Sequence, residues 1–462
     1  MSFVDTKHIS KEFKNIIVWD KRCSTSIKRI SRLILTTPSK SFSSSCGPSL
    51  RQNGSRILSS NKMNTENIQS GHYEETLKRC IKSKDILVLQ DTTSFNYRTH
   101  KATEGLGMIN TSKKEQGIIA HNALALTCEG VALGLVYQRY WIRKKENKRD
   151  NVSNRSIPIE QKESNKWLEG LKSTITGISP NVRSIFVISD RESDVFEYFL
   201  VERPINTHLL LRAVQPRTIE IAINEVTYKD KLQQILPQLT QAGIKNIEVI
   251  QGNKATNMVV SVSFAEVMIN PPQYVGKSKP KVAMTLIYVS EISDNSSSRI
   301  EWILFCSKTG LSNEEAILMT DYYSQRWKIE RFHYTLKTGV FDVEKLQFDD
   351  AHTLINALSL YSILAWYVMY VMYYCRQNPD LPAKEIIDEI SVKILEKQTK
   401  RKLKTSIEVM FAIGILGGFL FGSKKYPYPG IKTMWSGLSK LNDLKQGWLL
   451  AKEELFDFYD TR

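Results

Sequence analysis

Asp85-Ile-Leu-Val-Leu-Gln-Asp-Thr-Thr93 and Ser184-Ile-Phe-Val-Ile-Ser-Asp-Arg-Glu-Ser193 are the stretches on which the reading of the fold turns. Ile86–Gln90 reads as a short apolar strand that reaches Asp91, and Ser184–Ser189 as another that reaches Asp190. A carboxylate at the C-terminal end of a strand lies at the sheet edge, where open α/β sheets place their sites. Either aspartate alone also reads as a turn opener or a helix cap. Two of them on strands expected to be neighbours form the stronger signal.

Around these strands the pattern stays α/β. Ala123–Cys128 and Val131–Tyr137 read as two more strands joined by a turn at Glu129-Gly130. A polar stretch, Lys144–Lys162, reads as a loop before a helix around Trp167 and Leu171. Asp194–Glu202 reads as a helix and His208–Val214 as a strand. The order β-β-β-α-β-α-β is that of a ribonuclease H-like mixed sheet, so the expected fold class is α/β. About residues 218 to 310 are β-rich, with Pro271-Pro272 and Asn295–Ser298 as breaks, and read as an insertion. After Ser312 the chain reads as helical: one long helix over Asn313–Lys337 with Gly339 just past its end, then an amphipathic segment, Ala383–Lys397. The expected division is an N-terminal helical region over 1–80, a sheet domain over 81–375 and a C-terminal helical region over 376–462.

Charge narrows the partners. Sixty-four Lys and Arg against 48 Asp and Glu leave a net charge of +16, which points to a polyanion, either nucleic acid or an anionic membrane surface. Leu354–Cys375 carries no charge and meets the roughly 20-residue length of a bilayer crossing. Asn356, Ser359, Ser362 and six aromatics within it favour a buried core helix instead, so no membrane partner is expected. The six cysteines form no Cys-x-x-Cys pair, which argues against zinc and against a disulfide framework and suits reduced thiols in the cytoplasm. Met1–Ile17 has no apolar core of a secretory signal. Near the N-terminus, Ser26–Leu35 has helical period, with Ile27, Ile30, Leu33 and Ile34 on one side and Lys28, Arg29 and Arg32 on the other. That basic side suits phosphate contact, and suits a solvated face of a small helical bundle at least as well.

The segment after Asn313 is the most informative chemically. On a continuous helix Tyr323, Arg326, Glu330 and Lys337 fall within an arc of roughly 60°, beside a core stripe of Leu318, Tyr322, Ile329, Phe332 and Leu336. Alone, Arg326 and Glu330 read as an exposed i,i+4 ion pair. Together with Asp91 and Asp190 they make chemical sense. Three carboxylates suit two Mg2+ ions, hard cations that take oxygen ligands, with Mn2+ an acceptable substitute. Two such ions clamp the attacking and leaving oxygens of a displacement at phosphorus. Arg326, Lys337 and the Tyr323 hydroxyl would hold phosphates.

The strings Gln90-Asp-Thr-Thr93, Ser189-Asp-Arg-Glu-Ser-Asp194 and Tyr323-Ser-Gln-Arg-Trp-Lys-Ile-Glu-Arg-Phe-His-Tyr-Thr-Leu-Lys-Thr-Gly339 resemble the DDE transposases of bacterial insertion sequences. Tyr323-x2-Arg326-x3-Glu330-x6-Lys337 resembles the YREK motif of the insertion-sequence-four branch. Glu163-Ser-Asn-Lys-Trp-Leu168, Ile269-Asn-Pro-Pro272, Leu416-Gly-Gly-Phe419, Trp435 and Gly437 add to it, over about residues 85 to 450, and the match thins before Asp85. The resemblance implies cut-and-paste transposition by metal-dependent phosphoryl transfer, through a hairpin intermediate and then strand transfer. It implies double-stranded DNA as partner, both element ends and target, bound by a homodimer. It assigns end recognition to the N-terminal region and pairing to the C-terminal helices. Asp91, Asp190 and Glu330 would be the catalytic metal ligands, and Tyr323, Arg326 and Lys337 would contact DNA. Arg212 and Arg217 in Leu209-Leu-Leu-Arg-Ala-Val-Gln-Pro-Arg217 sit where the family has basic contacts, and Trp302 where it has a tryptophan that stacks on a flipped base. Trp302 reads equally well as a core strand residue. Location in a bacterial cytoplasm, on the nucleoid, would follow. Two other readings keep the charge: a ribonuclease H-like nuclease that only hydrolyses, and a non-catalytic repressor that binds element ends.

Overall fold

The structure is a computed structural model that describes residues 9–37, 42–110, 115–143, 157–223, 225–251, 254–275, 279–292, 300–420, 422 and 427–460. The loop expected at Lys144–Lys162 lies outside these residues as far as 156, and the break at Asn295–Ser298 lies wholly outside them.

A mixed sheet of twelve strands dominates the described residues: β1 (Asp85–Asn96), β2 (Gly107–Met108), β3 (Gln116–Thr127), β4 (Ala132–Trp141), β5 (Ser184–Ser189), β6 (Thr207–Arg212), β7 (Thr218–Ile223), β8 (Val226–Lys231), β9 (Thr240–Gln251), β10 (Lys254–Ile269), β11 (Val282–Glu291) and β12 (Glu301–Cys306). Strands β1 and β3 pair antiparallel, as do β3 and β4, so the first strands form a meander. Strand β5 then pairs parallel to β1, and β6 parallel to β5. Strand β12 adds antiparallel to β6, and β11, β10, β7 and β8 follow outward. The β-rich stretch expected as an insertion thus continues the same sheet through β12 rather than forming a separate layer.

Alternation along each strand assigns its side chains to two cores, one per face. Leu87, Leu89, Ile188 and Leu210 pack on one face, and Ile86, Val88, Ile185 and Val187 on the other. Before the sheet come α1 (Ile9–Glu12), α2 (Lys21–Thr36), α3 (Phe42–Ser45), α4 (Pro48–Leu58) and α5 (Thr65–Ser83). Asp20 caps α2 through the Arg22 amide, and Ile27, Ile30 and Ile34 are its buried stripe. Between β4 and β5 runs α6 (Asn165–Gly177), whose Trp167 lies in the second core. The helix expected over Asp194–Glu202 is a single turn, α7 (Phe196–Phe199). Asp194 stays out of it because its carboxylate accepts from the Val214 and Gln215 amides and from Arg217. A further single turn, α8 (Leu232–Ile235), follows β8.

The long helix expected over Asn313–Lys337 is interrupted. A capping box between Ser312 and Glu315 starts α9 (Asn313–Ser324), and α10 covers Trp327–Tyr334. At the junction the Gln325 and Arg326 amides donate to carbonyls three residues back, Tyr322 and Tyr323, tightening the turn. Beyond α10, Thr335–Gly339 widens into a π-helical turn. A Cβ at Gly339 would meet the Tyr334 carbonyl oxygen at 2.9 Å, which is why glycine suits that position.

The apolar run forms one helix, α11 (Ala351–Gln377), of which 89% of the most apolar window is buried. Its polar groups are satisfied within the protein: Trp366 Nε1 donates to the Ala132 carbonyl (2.8 Å) and Asn356 Nδ2 to that of Leu58 (2.7 Å). It is the central helix of the first core. The segment Ala383–Lys397 divides into α12 (Ala383–Ile386) and α13 (Glu389–Thr399), and α14 (Ser406–Leu416) and α15 (Ile431–Asp460) complete the helices.

Candidate active site

Strand register builds the site. On β1, Asp91 stands opposite Asn122 of β3, which stands opposite Gln138 of β4. On its other side β1 pairs β5 only as far as Leu89 beside Ile188, and β5 pairs β6 as far as Ser189 beside Leu211. Carried on at the same offsets, Asp91 is level with Asp190 and Asp190 with Arg212. Gln138, Asn122, Asp91, Asp190 and Arg212 therefore form one transverse row. Each has the same alternation as the leucines and isoleucine of the first core, so the row faces the α10 and α11 side. Asp91 is not the end of its strand, since β1 continues to Asn96. What ends beside it is the parallel pairing, and the two carboxylates sit where β1 and β5 separate.

Helix α10 covers this opening. Arg326 and Glu330 form an ion pair across one turn, with the Glu330 side chain 53% exposed. Burial, then the neighbouring Asp190 carboxylate, push the Asp91 carboxyl up to about 7; Glu330 adds to this, while the Thr92 amide and Arg326 oppose it. Burial also raises Asp190, against the Glu192 amide, Arg326 and Lys166. Tyr323 is buried with its ring edge-on to Trp302, centroids 5.2 Å apart. Burial raises the Tyr323 hydroxyl, and Arg326, Arg212 and Arg191 pull it back. Lys337 is lowered by burial, with Glu344 and Asp91 opposing, and its ammonium lies 5.7 Å from the Phe95 ring centre. Arg212 donates to the Glu301 carbonyl at 2.7 Å. The interrupted helix thus still delivers Tyr323, Arg326, Glu330 and Lys337 to the neighbourhood of the aspartates.

Among the described residues no three His, Cys, Asp or Glu side chains stand close enough to enclose one ion. Glu330 is turned to Arg326 rather than to the aspartates. The donor set nonetheless suits a hard divalent cation: two carboxylates side by side, one of them raised by burial and then by the charge of the other, gain most from a cation between them.

Other expected positions lie elsewhere. Arg217 is an interior residue, not a surface contact: its side chain is 5% exposed, its Nε donates to Asp194 Oδ1 (2.7 Å), and its guanidinium lies 4.9 Å from the Phe199 ring centre. It braces the strand after β6, with its Nε and Nη2 committed to Asp194 in the interior. Arg217→Ala should cost roughly 3–5 kcal/mol of stability by stranding the buried Asp194 charge, read as a lowered urea midpoint. A surface DNA contact would instead lower binding and leave the midpoint unchanged. Lys28, Arg29 and Arg32 are on α2, away from the row; Arg29 is exposed and Arg32 donates to Ser10 Oγ at 2.8 Å.

The structure also adds residues that the sequence reading passed over. His333 of α10 places Nδ1 3.7 Å from Asp91 Oδ2, and its Nε2 meets Asn122 Nδ2 at 3.0 Å. Burial pushes His333 down to about 3, so the ring is neutral. Lys166 of α6 reaches Glu192 beside Asp190 at 3.2 Å. The available signal was the interruption of two apolar strands by Asn122 and Gln138 on their buried face.

No family model matches the sequence. Among solved structures, the chain is similar to the piggyBac transposase synaptic complex with hairpin DNA, at 8% identity over 89% of this chain and 69% of that one. The TM-score is 0.32, too low to carry fold or function across.

Proposed function

We propose that the protein is a DNA transposase whose sheet is a ribonuclease H-like catalytic domain. The observation that carries this reading is that Asp91 and Asp190 stand where the adjacent parallel strands β1 and β5 stop pairing, beside the Arg326–Glu330 pair at the start of α10. The meander followed by two parallel strands supports the fold assignment, and the net charge of +16 supports a nucleic-acid partner.

Asp91, Asp190 and Glu330 would hold Mg2+ or Mn2+. Bound there, the ions supply charge neutralisation at the phosphorus and a polarised attacking oxygen. Arg326 releases Glu330 and turns to the DNA backbone, and Lys337 and Tyr323 fix the phosphates on either side. Arg212, in line with the aspartates, holds the same strand. Trp302, edge-on to Tyr323, offers its indole to an unstacked base when the duplex end bends into a hairpin. Residues 1–80, with Lys28, Arg29 and Arg32, would read the element end, and 376–462 would pair two protomers.

Lys337→Ala should weaken binding and reduce the salt slope by about one, the signature of one lost phosphate contact. Binding isotherms between low and moderate salt read both, and an unchanged slope would remove Lys337 from the interface.

The reading is tested by cleavage of DNA carrying the element's own terminal repeats, with and without Mg2+, comparing the protein with its Asp190→Ala variant. Metal-dependent cutting at the boundary, lost in the variant, is expected. Cutting without any joined product when 3′-hydroxyl ends and a target are supplied would convert the assignment to a nuclease. Tight end-specific binding without cutting would convert it to a repressor.

A further inference from the structure

The His333 ring is oriented by a chain of buried amides that begins on a different part of the protein. Gln69 on α5, Gln138 on β4 and Asn122 on β3 are all buried, and none belongs to the expected site. Gln69 Nε2 lies 2.9 Å from the backbone carbonyl of Ser359 and 2.8 Å from Gln138 Oε1. A backbone carbonyl only accepts, so the nitrogen end of Gln69 must face it. Gln138 then presents oxygen to Gln69 and nitrogen to Asn122 Oδ1, at 2.7 Å. A second anchor agrees. Ser362 Oγ donates to the Leu358 carbonyl at 2.8 Å, leaving its lone pairs for Gln138 Nε2 at 2.9 Å. With its oxygen committed, Asn122 turns its Nδ2 donor to His333 Nε2 at 3.0 Å. A donor facing Nε2 requires a lone pair there, so the ring proton is on Nδ1. That is the nitrogen 3.7 Å from Asp91 Oδ2.

We propose that His333 is a positioning residue for Asp91, held by the Gln69–Gln138–Asn122 chain with its Nδ1–H toward the carboxylate. It rests on the metal-ligand reading of Asp91. His333 Nδ1 lies 3.7 Å from Asp91 Oδ2 while the Thr92 amide donates to Oδ1 at 2.8 Å, so both oxygens are oriented and each keeps a lone pair for a cation. The same tautomer keeps His333 itself from ligating, since its only lone pair is spent on Asn122. Partners behind a ligand typically change metal affinity about 10- to 100-fold. The chain runs from α5 to His333, so the N-terminal helices and the residue beside Asp91 share one buried hydrogen-bond path.

Two measurements on the full chain test it. The first is the 15N spectrum of histidine-labelled, metal-free protein, with the His333 signal assigned by its loss in His333→Gln. The expected form is Nδ1–H, and Asn122→Asp, which offers only acceptors, should move the proton to Nε2. An Nε2–H ring in the unaltered protein overturns the proposal, whatever the protein's activity. The second is Mn2+ binding followed by electron paramagnetic resonance. His333→Ala should weaken binding about 10- to 100-fold, and His333→Gln, which keeps a donor, should recover part of it while melting at the same temperature. Equal Mn2+ affinity in all three proteins also overturns it. No Mn2+ binding by the unaltered protein, with Nδ1–H in place, would instead sink the metal reading of Asp91 and the positioning role with it.

Discussion

Glu330→Ala is expected to leave DNA-end binding within a few-fold of the unaltered protein while cutting falls by about 10³-fold or more. The separation follows from where Glu330 stands. It is half exposed and, among the described residues, paired with Arg326 one helical turn away. An exposed i,i+4 pair contributes about 0.3–0.5 kcal/mol, so its loss should not unfold α10. The substitution also frees a guanidinium, so binding to phosphate should be kept or slightly improved. On the proposed reading cutting would depend on the third carboxylate, for which alanine has no replacement. Mobility-shift and cleavage assays on the same end fragment, alongside a thermal melt, read all three quantities. Cutting that survives at more than a tenth of the original rate would leave Asp91 and Asp190 without Glu330 as a partner.

Asp91→Asn should stabilise the metal-free protein at alkaline pH. The Asp91 carboxyl is raised from its ordinary 3.8 to about 7 by burial and by Asp190. The folded chain therefore keeps a proton at Asp91 that the unfolded chain gives up through this window. The cost to folding is absent below pH 4, grows as pH rises, and is complete above pH 7. Asparagine carries no such charge and retains an oxygen for the Thr92 amide, which now donates to Asp91 Oδ1 at 2.8 Å. At pH 8 the variant should exceed the unaltered protein by up to about 4 kcal/mol, and the gap should close near pH 4. Adding Mg2+ should stabilise the unaltered protein alone. Urea titrations at pH 4, 6 and 8 in chelator measure the gap, and a gap that does not change with pH would mean that Asp91 carries no such burden.

The elements that surround this candidate site were legible in the sequence. The strands bearing Asp91 and Asp190 announced themselves as apolar runs because both faces of those strands are buried. Burial of α11 was legible in Asn356, Ser359 and Ser362, which now make internal hydrogen bonds. The break at Gln325 was not legible, because neither proline nor glycine marks it and the tightening is a matter of two backbone bonds. Arg217 misled because its motif shows a basic residue after a strand and says nothing of Asp194, whose side chain sits in a turn and reaches it only in the fold. The chain ending at His333 was hidden for a similar reason: its members come from four elements, and only the register of β1, β3 and β4 aligns them.

The continuity of the sheet has a mechanical consequence. Asp190 lies just beyond β5 and Trp302 is on β12, with only β6 between these strands. Neighbouring strands are about 4.8 Å apart, so the lateral offset between Asp190 and Trp302 is set near 10 Å by the hydrogen-bond ladder. Loops can flex without altering it, and so can the helices. If the proposed function holds, a duplex end that is to meet both residues would have to do the bending itself, and its own stiffness would then help decide where it is cut.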